Sequence, residues 1–122
     1  MLFLLCFSLS ACSTQVAIYH RVFITNVCDR NLQVSTLNTL NSSIKTTEFL
    51  AAPYDEVIVA SYISHGRPII DLVDGYFELL IVDNHHSRSI RREEFRRYLG
   101  TAPMTRSGDL RTWHIVDRDI CP

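Results

Sequence analysis

Hydrophobic and polar residues alternate in short runs along most of this chain, a pattern that predicts strands. Arg21 to Val27 carries β-branched and aromatic residues and ends at Cys28-Asp29-Arg30-Asn31, a turn-forming cluster. Leu32-Gln33-Val34-Ser35 alternates with the period of a half-buried strand. Thr36 to Ser43, rich in Asn, Ser and Thr, reads as loop, and Ile44 to Phe49 as a weaker strand. Val57 to Ile63 is a dense β-branched run suited to the centre of a sheet, and His65-Gly66-Arg67-Pro68 breaks it.

The clearest local signal is Asp74-Gly75, a type I′ turn dipeptide between Ile69 to Val73 and Tyr76 to Val82. Such a hairpin sets Leu72 against Phe77, Asp71 against Glu78 and Ile70 against Leu79. Leu72, Phe77, Ile70 and Leu79 then share a core face. Asp71 and Glu78 meet on the other face, an unfavourable pair unless a cation or an arginine intervenes. The period changes near residue 90. Ser89 is a plausible cap, Ile90 to Leu99 a helix, and Gly100 its stop. Arg88, Arg91, Arg92, Arg96 and Arg97 outnumber Glu93 and Glu94 in this segment. They read either as a solvated, partly paired face or as an anion-contacting surface centred on Arg88, Arg92 and Arg96. A final strand, Thr112 to Val116, places Trp113 and Ile115 on one face. The expected class is mainly β: a small β-sandwich of six or seven short strands with one late helix, spanning residues 20–122.

Composition narrows the partners. The 122 residues make one domain of ordinary size. Twelve basic and 13 acidic side chains leave a formal charge of −1, which points away from nucleic acid.

The first dozen residues carry an address. Leu2 to Leu9 is an apolar run too short to span a bilayer, which takes about 20 residues, but suited to the core of a cleaved signal. Leu9-Ser10-Ala11-Cys12 closes it with small residues before a cysteine, and no Lys or Arg precedes it. This quartet resembles the lipobox of bacterial lipoproteins. The resemblance implies that residues 1–11 are a signal peptide, that Cys6 leaves with it, and that Cys12 receives the lipid. Residues 12–19 would then be a tether. Ser13, not Asp, after the cysteine implies the outer membrane of the bacterial envelope, with the domain facing the periplasm. Implied partners are the membrane, through the anchor, and another envelope protein. A small tethered sandwich also resembles, in architecture alone, the outer-membrane lipoprotein of type VI secretion machines; no function carries over from architecture.

With Cys6 and Cys12 assigned, Cys28 and Cys121 remain. Export to an oxidising compartment favours a disulfide between them; the alternative is two free thiols. Chemical signatures are sparse. His85-His86 follows Asp83, but neighbouring side chains on a strand point to opposite faces, which suits a solvated loop better than a metal site. His65, Asp71, Glu78 and His85 are the weak metal candidates, and no cofactor is expected. No nucleophile elbow, phosphate loop or CxxC pair occurs, so no enzyme activity is expected. Two function classes follow: a structural or protein-interaction lipoprotein, or a periplasmic metal- or ligand-binding domain.

Overall fold

The computed structural model of the chain describes residues 16–37, 39–44 and 48–122. Two four-stranded sheets face each other as a small β-sandwich. Sheet A has the order β4-β1-β8-β7, from strands β1 (Ile18–Thr25), β4 (Glu56–Ser64), β7 (Met104–Ser107) and β8 (Leu110–Ile115). Sheet B has the order β3-β2-β5-β6, from β2 (Leu32–Leu37), β3 (Glu48–Ala51), β5 (Glu78–Val82) and β6 (Ser87–Arg91). Helix α1 (Arg92–Thr101) carries the chain from the β6 edge to the β7 edge. β1 and β8 run parallel in the middle of sheet A; every other pairing is antiparallel.

The core forms where inward positions of both sheets interdigitate. Val22 and Ile24 of β1 meet Val34 of β2, Leu79 and Ile81 of β5 and Ile90 of β6, all buried. In β4, Val59 and Ala60 are both buried because a bulge opposite Val22 and Phe23 inserts one extra residue. The Val59 carbonyl in that bulge accepts a 2.6 Å hydrogen bond from the Thr36 hydroxyl of the facing sheet. Helix α1 buries Phe95, Tyr98 and Leu99, and the Phe95 ring stacks on Phe77 at 4.2 Å.

Several sequence expectations need correction. Ile69–Leu72 is a 3-10 turn, not a hairpin arm. It begins at Pro68, whose carbonyl accepts from the N–H of Asp71, and it buries Ile69 and Leu72 on one side. β5 therefore pairs with β2 and β6, and Asp71 never faces Glu78. Residues expected to start the helix, Ser89 to Arg91, complete strand β6, and the helix runs through Gly100 to stop before Pro103. β6 and β7 have no counterpart among the expected strands and Ile69–Val73 is not one, so the described residues hold eight strands. β1 starts at Ile18, inside the stretch expected to be tether.

Of the Thr36 to Ser43 stretch expected to be loop, Thr36 belongs to β2 and residues 39–43 are loop, but that loop is anchored from below. Thr36, Thr39 and Ser42 are buried, and the Ser42 hydroxyl accepts from the N–H groups of Ile44 and Ser61. At the opposite end, Asn26 anchors the crossing from sheet A to sheet B. Its amide nitrogen donates to the carbonyls of Arg30 and Ala51, and its oxygen accepts from the N–H of Cys28. Beside it, the N–H of Tyr54 donates to the Asn26 carbonyl at 2.7 Å, and Tyr54 adopts a left-handed φ of 69°. That conformation costs a residue with a Cβ about 1–2 kcal/mol. The Tyr54 side chain is 83% exposed and offers little packing in return. Tyr54→Gly is expected to stabilise the domain by ~1 kcal/mol, read as a higher urea midpoint. A lower midpoint would show that the ring contributes more than the backbone strain removes.

Candidate functional site

Sandwich outer faces are normally polar. The outer face of sheet A is not. Three strands line up there because β4, β1 and β8 are neighbours in register, and alternation sends every second residue outward. Ile63, Tyr19 and Leu110 form one row, and Ser61, Arg21 and Thr112 the next. Ile58, Phe23 and His114 form a third. Tyr19 is 48% exposed and Ile63 is 55% exposed, side by side. In the third row Phe23 stacks on the His114 ring, whose Nδ1 lies 3.0 Å from Glu56 Oε1. The result is an apolar row on one side of Arg21 and an Ile58–Phe23 pair, extended by the Glu56-bound His114, on the other. Exposed apolar side chains on both sides of a polar row are a pattern that contact surfaces use.

The sequence-derived candidates lie elsewhere. Cys12, with the whole of 1–15, falls outside the described residues. Cys28 and Cys121 form a disulfide, with the Cys28 side chain in the core. His65, Asp71, Glu78 and His85 are not brought together. His65 lies in the turn after β4 and Asp71 in the 3-10 turn. Glu78 starts β5, and His85 lies beyond its other end. Glu78 faces Arg91 across the ladder and accepts from the Ser89 hydroxyl at 2.8 Å. Asp83 closes the β5–β6 turn by accepting from the N–H groups of His85 and His86, each at 2.7 Å. Those two bonds, helped by Arg30 at 2.8 Å, hold the Asp83 carboxyl below its ordinary range. Among the described residues no three His, Cys, Asp or Glu side chains gather as a metal site.

The arginines are tied inward. Arg88, in strand β6 and not on the helix flank, is half-buried and bonded to Glu94 and to the Tyr98 hydroxyl, locking α1 onto sheet B. The Arg92 Nε donates to the Val73 carbonyl at 2.9 Å, and its Nη1 lies 3.0 Å from Glu93. Arg96 lies 3.6 Å from Glu93 and 4.0 Å from Asp71. Arg92 and Arg96 thus hold the helix and the 3-10 turn together, while Arg88 holds the helix to sheet B. Arg97, exposed, lies 5.7 Å from the Tyr98 ring centroid.

Two members of the outer-face surface were hidden in sequence. Tyr19 fell within the expected tether, although Ile18-Tyr19-His20-Arg21-Val22 continues the alternation of the first strand backwards. Leu110 follows Gly108-Asp109, a two-residue hairpin signal that the flanking arginines obscured. Among the described residues no helix is long and apolar enough to cross a membrane. Comparison with family models, with curated proteins and with solved structures finds no match.

Proposed function

We propose that the domain is a protein-docking module of the bacterial envelope, held at the outer membrane by lipid on Cys12. Its partner is another envelope protein that lays an apolar segment with a carboxylate on the outer face of sheet A. The observation that carries this reading is the apolar row Ile63–Tyr19–Leu110 and the Ile58–Phe23 pair beside His114, with Arg21 exposed between them. A carboxylate meeting Arg21 inside an apolar surround would supply the polar specificity of such an interface. The lipobox-like Leu9-Ser10-Ala11-Cys12 supports the location. Two or more acyl chains, where a single one holds only marginally, would keep the domain near its partner.

The test replaces Tyr19 with a photo-crosslinking phenylalanine in intact cells. A discrete protein adduct is expected, lost when Ile63→Asp or Arg21→Glu is added and retained with Leu50→Asp on the other sheet. Cys12→Ala is expected to release the chain from membranes and to weaken the adduct. An adduct indifferent to Ile63→Asp and Arg21→Glu, or labelling of lipid alone, would overturn the docking face. A Cys12→Ala chain that stays membrane-bound to the wild-type extent would overturn the anchor.

A further inference from the structure

The inward-facing side of sheet A carries, at its β7 edge, a row that runs from the core out to solvent and is basic at its outer end. His20 of β1 pairs in register with Arg111 of β8, and Arg111 with Arg106 of β7. The row runs from buried His20 through half-buried Arg111 to exposed Arg106 at the rim, and with α1 and the 3-10 turn it lines an open cleft of about 370 Å3. Apolar side chains make the rest of the wall, among them Ile69, Ile70, Leu99 and Trp113.

Two guanidinium groups directly across a two-residue hairpin repel each other. Among the described residues neither forms an ion pair with a carboxylate. One Arg111 nitrogen donates to the carbonyls of Gly108 and Leu110, at 2.7 and 3.2 Å, which steadies the side chain without neutralising it. His20 adds no negative charge. The Trp113 indole N–H donates to His20 Nδ1 at 3.1 Å, and an indole can only donate. Nδ1 is therefore unprotonated and the imidazole proton sits on Nε2. That Nε2 is buried and has no hydrogen-bond partner among the described residues, in a residue only 6% exposed. Burial, with Arg111 beside it, lowers the His20 pKa, so the ring stays neutral near pH 7.

The cleft thus joins two unneutralised cations and a spare buried donor to an apolar pocket. We propose that it binds an amphipathic carboxylate of the fatty-acid type. The carboxylate bridges Arg106 and Arg111, and the acyl chain lies between Trp113 and Leu99. Two guanidinium forks suit a carboxylate's paired oxygens. The pocket is of ligand size and offers the apolar lining with few polar groups that such sites share. The site lies on the face of sheet A opposite the proposed docking surface and is independent of it.

Trp113 is the sole tryptophan of the chain, so its emission reports the cleft directly. Purified full-length chain is titrated with octanoate, with octanol and with acetate. Octanoate is expected to shift the emission in a saturable way. Octanol lacks the charge and acetate lacks the tail, and each is expected to bind at least about tenfold more weakly, the loss of one charge-assisted or apolar contribution. Arg106→Glu is expected to weaken octanoate by at least about the same factor with an unchanged melting temperature. Arg106→Gln serves if reversed charge disturbs the hairpin. Octanol binding as tightly as octanoate, an octanoate response that does not saturate, or affinity untouched by both Arg106 variants would overturn the assignment.

Discussion

Reducing the Cys28–Cys121 disulfide should lower the stability of the domain by up to ~4.6 kcal/mol, the chain-entropy value for a crosslink spanning 93 residues. For a domain of this size that corresponds to a fall in melting temperature of roughly 20 °C. The crosslink joins the end of β1 to the segment after β8, and those two strands are already parallel neighbours in sheet A. It therefore restricts the unfolded chain while demanding little of the folded one. The native fold should persist on reduction, because Asn26 independently holds the β1–β2 crossing through its three side-chain hydrogen bonds. Comparing melts of oxidised and reduced wild-type protein isolates the crosslink; the Cys28→Ala/Cys121→Ala pair would add the loss of sulfur packed in the core. A melting temperature unchanged by reduction would show that the entropic account fails here.

How much of this was legible in the sequence depends on how many apolar residues each element shows. Val57 to Ile63 announces a central strand, and β4 runs over Glu56–Ser64. Phe95, Tyr98 and Leu99 announce a helix, and α1 buries those three. The sandwich class follows from such signals, whereas the disulfide follows from the two cysteines left over in a chain expected to be exported. Strand β6 has only Ile90 to mark its inward face, and β7 only Met104, so neither period could be read. Ile69 to Val73 failed differently. A five-residue apolar run fits a period of two or of three, and Pro68 together with burial of Ile69 and Leu72 decides for three. The functional surfaces were less legible still. Rows such as Ile63–Tyr19–Leu110 and His20–Arg111–Arg106 join residues far apart in sequence, and only the order of strands in sheet A brings them together.

Asp74 shows the same dependence on distant partners, and it yields the second large effect. Its dipeptide with Gly75 reads as a hairpin turn, yet its carboxylate serves the loop after β2. Oδ2 accepts from the N–H of Leu40 at 2.8 Å, from the N–H of Asn41 at 3.2 Å and from the Thr39 hydroxyl at 3.1 Å. Oδ1 accepts from the N–H of Tyr76 at 3.0 Å. Burial alone would raise the Asp74 pKa, but these four hydrogen bonds outweigh it and hold the carboxyl below its ordinary range. The stability it contributes is thus complete above the unfolded value of about 3.9 and is lost as pH falls through the lower folded value. Removing the side chain gives up four hydrogen bonds to a carboxylate, so Asp74→Ala should cost about 3 kcal/mol at pH 7. Asp74→Asn keeps an acceptor oxygen but not the charge, so it should cost less. Its stability should also fall less steeply than the wild type's below about pH 4, and the two should converge in strong acid. Urea midpoints measured from pH 7 down to pH 2 separate these cases. An Asp74→Asn chain that loses stability in acid as steeply as wild type would assign the acid sensitivity to other carboxylates.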